Sequence, residues 1–155
     1  MQVVRAGTGD IPAWLDLAAE VEPLFGPLVG DERFLRALER NIARGSATCV
    51  RVDDGPPGSA LMGGLLFSSH PPHYRVGWLA AARAWRRKGV GRLLVEHALC
   101  MVDPPAEVSV VTFGQGVPGG AAARAFYAEL GFVPCEPGKA GPDGQPRQVY
   151  RRRFR

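Results

Sequence analysis

Arg86-Arg87-Lys88-Gly89-Val90-Gly91 (RRKGVG) is the stretch whose reading decides this chain. Upstream, Tyr74–Ala82 (YRVGWLAAA) is apolar enough to be a central strand. Downstream, from Gly89, Val90, Leu93, Leu94, Ala98 and Met101 recur at helical spacing. The basic glycine segment therefore sits at a strand-to-helix junction. There the first helical N–H groups have no intrahelical acceptors and the helix dipole is positive. Gly89 and Gly91 let the backbone approach an anion closely, and Arg86, Arg87, Lys88 and Arg92 add positive charge. These are the parts of a phosphate or pyrophosphate site. The pattern is neither G-x-x-x-x-G-K-[ST] nor G-x-G-x-x-G. Taken alone, it fits a solvated basic loop as well as a cradle.

The bulk composition narrows the classes. A chain of 155 residues, 46% hydrophobic and 22% charged, points to one soluble domain over residues 1–155. A net charge of +4 favours anionic partners without demanding nucleic acid. Arginine dominates the cations, lysine occurring only at Lys88 and Lys139, which fits a coding bias as well as a function. Cys49, Cys100 and Cys135 are scattered and form no CxxC pair. A disulfide framework or a metal site is not expected, and a reducing cytoplasm is. MQVVRAGTGD lacks the apolar core of a signal peptide, and no apolar run is long enough for a membrane span.

Working outward, Gln2–Ala6 reads as a first strand. A helix follows, with Thr8 or Asp10 as N-cap and Pro12 in its first turn; Trp14, Leu15, Leu17, Ala18 and Val21 give it an apolar face. A second helix runs from an N-cap at Asp31 to a stop at Gly45. Ser46–Val52 and Ala60–Phe67 read as a hairpin around the turn Asp53–Ser59, and Ser68–His73 as a proline-rich loop. After the central strand and its helix come a strand at Glu107–Phe113, a loop at Gly114–Gly120 and a helix at Ala121–Leu130. Strands at Phe132–Cys135 and Arg147–Phe154 follow, joined by the turn-rich Pro137–Pro146. No repeat or interdomain linker is visible. Strands that first pair locally and then alternate with helices predict one mixed sheet with helices on both faces, an α/β (α+β) fold.

Read whole, AAARAWRRKGVGRLLVEHAL resembles the central motif of the GNAT acyl-CoA N-acetyltransferase superfamily, Q/R-x-x-G-x-G/A, with Arg86, Gly89 and Gly91 in its fixed places. AAARAFYAELGF resembles a second signature of that family, with Tyr127, Gly131 and Phe132 in place. The resemblance implies a mostly antiparallel sheet of about seven strands with about four helices, splayed at the central strands Tyr74–Ala82 and Val108–Phe113. It implies acetyl-CoA as cosubstrate and no metal. The backbone N–H groups of Arg87, Lys88, Gly89, Val90, Gly91 and Arg92 would hold its pyrophosphate, with Arg86 beside them. Leu79, Ala80 and Ala81 would bond its pantetheine arm, and the Ala81 amide would polarise the thioester carbonyl. Tyr127 would be the general acid at the departing sulfur. Many relatives carry an Asn shortly before the tyrosine. The only one here is Asn41, so Gln115 or the Gly116–Gly120 backbone would stand in.

Direct transfer to an amine also calls for a general base, for which His73 and Glu22 are the candidates; Glu20, Asp31, Glu32 and His70 are further ones. Ordinary surface positions account for each of them too. The resemblance implies a small-molecule or peptide amine acceptor in a groove built by Trp14–Phe25, Asp31–Ile42 and the last hairpin. It also raises a possible homodimer, with no legible interface. The alternative is a non-catalytic acyl-CoA-binding sensor of the same fold. A nucleic-acid reading rests only on Arg151–Arg155 (RRRFR), which continues the last predicted strand and is accounted for as a charged edge.

Overall fold

The structure is a computed structural model that describes residues 1–141 and 143–155. Strands β1 (Val3–Arg5), β2 (Ala47–Arg51), β3 (Leu61–His70), β4 (His73–Ala81), β5 (Ala106–Phe113), β6 (Val133–Gly138) and β7 (Arg147–Phe154) form one sheet. Its order is β1-β2-β3-β4-β5-β7-β6. Among the described residues only β4 and β5 run parallel; every other neighbouring pair is antiparallel. Helices α1 (Ile11–Phe25), α2 (Glu32–Arg44), α3 (Val90–Leu99) and α4 (Gly120–Glu129) flank it. The mixed, mostly antiparallel sheet with four helices is the architecture expected from the sequence.

Two cores hold the helices to the sheet. On one face, Val90, Leu94, Val95 and Tyr127 of α3 and α4 pack on Leu65, Phe67, Val108 and Val110. On the other, Trp14, Leu17, Val21, Phe34 and Leu38 of α1 and α2 pack on Ala47, Cys49, Leu66 and Ala80. Gly63 and Gly64 let both layers press on β3 at one point. A Cβ at Gly63 would lie 2.7 Å from Val90, and one at Gly64 2.7 Å from the Trp14 indole.

Local signals explain the helix ends. The Asp31 carboxylate accepts from Arg33 N–H at 2.9 Å, and Gly45 closes α2 at φ 72°. Asp10 occupies the N-cap of α1, but its side chain turns away from the helix. It accepts from Gly7 N–H (2.9 Å), Gly58 N–H (3.2 Å) and the Arg51 guanidinium (3.0 and 2.8 Å). Fully buried, it ties the start of α1 to β2 and the β2–β3 turn.

Several expectations are corrected. The predicted loop at Ser68–His73 is mostly strand, because β3 runs on to His70 and pairs with His73 across Pro71–Pro72 alone. The arginine-rich β7 is not an edge: it lies between β5 and β6. Edge strand β6 carries Pro134 and Pro137, which withhold N–H donors from further pairing. The turn expected over Pro137–Pro146 contains Pro142, which lies outside the described residues. No helix among the described residues is long and apolar enough to cross a membrane.

Burial pushes the Asp10 carboxyl up, but Arg51 and the two N–H donors more than offset it, so its pKa lies below the usual aspartate value. Stability from this group is full above the unfolded-chain pKa and is lost as pH falls through the lower folded-state value. Asp10→Asn leaves Arg51 without its countercharge. It is expected to cost about 3 kcal/mol in urea unfolding at pH 7, with a smaller difference from wild type in acid. A pH-independent difference would contradict the ion-pair account.

Candidate active site

The site begins with a bulge. In the β3–β4 register Leu66 faces Trp78 and Phe67 faces Val76, so Gly77 is the extra residue. Parallel pairing of β4 with β5 stops at the same place, at Val76–Val110. Beyond it β5 pairs only with β7. Ala82 N–H donates to Met62 at 2.8 Å. By antiparallel alternation Ala80 also turns its backbone to β3, while Leu79 and Ala81 turn theirs to the opening. The Arg86 Nε donates to the Ala81 carbonyl at 3.4 Å, consistent with that side. Of the three residues expected to present backbone to a ligand, Ala80 is therefore the exception.

A cavity of about 560 Å³ runs through this opening. Val21, Leu24 and Phe25 line its α1 end; Gly91, Phe126 and Tyr127 line the other. Arg86 and Arg87 stand at its wall.

The basic segment is built as a nest. Arg87 (φ 60°) and Gly89 (φ 85°) adopt left-handed backbone, and Gly89 caps α3. Turns of this kind direct successive N–H groups to one concave side. None of the N–H groups from Arg87 to Arg92 has an acceptor among the described residues. The two glycines serve different ends. Space around Gly89 is open and its φ is the constraint, whereas a Cβ at Gly91 would lie 3.3 Å from the Phe126 ring. Lys88 rests over the Trp85 ring at 5.3 Å, and Arg92 bridges to Glu96 at 3.4 Å.

Tyr127 is buried, with its ring edge-on to Phe126 (5.1 Å) and Phe132 (5.7 Å). Burial raises its phenol pKa well above the ordinary value, so the group stays protonated at physiological pH.

The proposed bases do not reach the cavity. His73 is exposed at the opposite end of β4 from Ala81, roughly 26 Å away along the strand. The Glu22 carboxylate accepts from Leu28 N–H (3.2 Å) and Val29 N–H (2.9 Å), bracing the segment after α1. Glu20 accepts from Arg83 N–H at 2.9 Å and pins the turn after β4. Neither Asn41 nor Gln115 lines the cavity, but Gly119 does. Of the aromatic residues in the two helices expected to build the acceptor groove, Phe25 lines the cavity; Trp14 and Phe34 lie behind, against Trp78. Trp78 and Phe113, not singled out from sequence, complete that end. The Cys49 thiol is buried and pushed up to about 11 by desolvation and Asp10, which leaves it unreactive. The arginines of β7 are engaged: Arg151 with Glu107 and Glu136, Arg152 with the Leu130 carbonyl, Arg153 with Glu107. No cluster able to hold a metal ion is found among the described residues.

The sequence profile described as "Acetyltransferase (GNAT) domain" matches residues 37–134, from α2 through Tyr127 to β6. The chain belongs to the GNAT acetyltransferase family. Its fold is also that of GNAT structures. A GNAT-family acetyltransferase from Bacillus cereus superposes with a TM-score of 0.74 at 14% identity, covering 98% of this chain and 96% of that one. The PaiA N-acetyltransferase of Thermoplasma acidophilum, solved with coenzyme A, gives 0.73 at 13% identity, with 99% and 98% covered. An Arabidopsis thaliana protein solved with the bisubstrate analogue CoA-Ac-MVNAL gives 0.72 at 13%, with 99% and 98% covered. Comparison with curated protein sequences finds no match.

The two GNAT-motif glycines are separable by experiment. Gly89→Ala places a side chain in left-handed backbone and is expected to cost about 1–2 kcal/mol. Gly91→Ala gains about 1 kcal/mol of helix propensity but presses on Phe126, so it is expected to be more favourable in a Phe126→Leu background than in the wild-type chain. Urea unfolding reads both. The same effect of Gly91→Ala in both backgrounds would contradict the contact.

Proposed function

We propose that this protein transfers an acetyl group from acetyl-CoA to a primary amine by direct attack in a ternary complex. The observation that carries the proposal is the continuity of three features in one cavity: the N–H nest at Arg87–Arg92, the unpaired backbone of Leu79 and Ala81, and the Tyr127 phenol.

Acetyl-CoA would supply an activated acyl group and a thiol leaving group. The nest N–H groups and the Arg86 and Arg87 side chains would hold its pyrophosphate. Leu79 and Ala81 would bond the amide-bearing arm as a missing strand partner, the Arg86 side chain releasing the Ala81 carbonyl. The Ala81 N–H would then donate to the carbonyl oxygen as negative charge develops there. As the amine nitrogen bonds the acyl carbon and the carbon–sulfur bond breaks, the Tyr127 hydroxyl would donate its proton to the departing sulfur, and the proton shed by the acylated nitrogen would restore the phenol by way of solvent. Support for this reading comes from family membership and from the chemistry of the lining.

Saturation kinetics on Tyr127→Phe test it. The ring and its packing remain, so stability and acetyl-CoA KM are expected to change little. Loss of the proton donor is expected to lower kcat by about 10²-fold or more. An unchanged kcat would remove Tyr127 from the chemistry. Binding of acetyl-CoA without turnover of any amine would favour the non-catalytic sensor.

A further inference from the structure

The acceptor end of the cavity has a definite chemistry. If the donor lies on the nest, it occupies the α3/α4 side of the opening, which leaves the α1 side for the acceptor. That side is walled by Val21, Leu24, Phe25, Trp78, Val111 and Phe113. Among the described residues, the titratable members of the lining are Arg86, Arg87 and Tyr127, with neither a carboxylate nor an imidazole. Charged groups on the adjoining elements are engaged elsewhere. Glu20 is bonded to Arg83 N–H, and Glu22 to Leu28 and Val29 N–H. Arg147 lies over the Phe113 ring at 4.7 Å, with Asp143 3.6 Å from its guanidinium. Across the site, the Tyr127 phenol is held neutral by burial.

Such a wall is hostile to an ammonium ion. It removes water without offering a countercharge. It also offers no base to take the proton that must leave before nitrogen can attack. We infer that the acceptor is a weakly basic amine on an apolar body, of the α-amine class found at an apolar amino acid or peptide N-terminus, rather than a lysine side chain or a polyamine. This inference rests on the acetyl-transfer reading above. The amine reaches the site already neutral, having left its proton to bulk solvent, so the fraction of free base in solution sets the rate. At pH 7 an α-amine of pKa about 7.7–8.0 is about 10% neutral and a lysine amine of pKa about 10.4 about 0.04%, a ratio of about 300.

The test measures kcat/KM at pH 7 with saturating acetyl-CoA for leucinamide, isoamylamine, Nα-acetyl-lysinamide and spermidine. Leucinamide and isoamylamine share the apolar chain and differ in basicity. Leucinamide is expected to exceed isoamylamine by about 300-fold and the two cationic amines by more, and its pH profile to level off at the amine's own pKa near about 8. Leu24→Glu, which places a carboxylate in the wall, is expected to raise the spermidine-to-leucinamide ratio at least about tenfold, with a melting curve to check folding. Spermidine or acetyl-lysinamide used as well as leucinamide would overturn the inference. So would an unchanged ratio in a folded Leu24→Glu protein, or no transfer to any of the four amines by protein that binds acetyl-CoA. Absence of acetyl-CoA binding in calorimetry would instead overturn the donor site, and this inference with it.

Discussion

One extra residue in a strand sets the rest of the site. Gly77 bulges from the β3–β4 ladder, and β4 leaves β5 at the next pair of residues. Bulges bend the strand that carries them and sharpen its twist, so the parting has a local cause. Its consequence is chemical. Leu79 and Ala81 are left with backbone donors and acceptors that no strand satisfies, in the middle of an otherwise paired sheet. Unpaired backbone groups away from water are costly. Here Arg86 answers the Ala81 carbonyl, and an amide-bearing ligand would answer the rest.

The bulge also divides the cavity by chemistry. Before it, Tyr74 and Val76 face the α3/α4 core; after it, Leu79 and Ala81 do, while Trp78 and Ala80 face α1 and α2. Trp78 thereby joins the apolar α1 side of the cavity instead of the side that holds the nest. The surrounding layers keep this arrangement rigid. Gly63 and Gly64 admit α3 and α1 close to β3 from opposite faces, and Asp10 locks the start of α1 to β2. The cationic end and the apolar end thus lie on opposite faces of the sheet, joined only through the opening.

The N–H nest was legible because its signal is local: glycines, cations and a strand-to-helix switch within one short stretch. Helix α2 was legible for the same reason, through Asp31 and Gly45. The bulge was not, since Gly77 sits inside an apolar run whose simple alternation places Tyr74, Val76, Trp78 and Ala80 on one face. Nor was the backbone direction of Ala80, which depends on register with Met62 and Gly64. The base candidates do not line the cavity, because closeness in sequence does not carry over: His73 adjoins the central strand but at its far end, and Glu22 is held by its own loop. The final strand read as an edge because β6, with its prolines, gave little sign of pairing outside it.

The central claim is that the opened stretch of β4 receives the donor as a strand partner, and amide hydrogen exchange by NMR tests it most directly. On adding acetyl-CoA, the amides of Leu79 and Ala81 should gain protection, along with those from Arg87 to Arg92. The Ala80 amide, already facing β3, should change little. Protection of the nest alone, with Leu79 and Ala81 exchanging as before, would contradict the account.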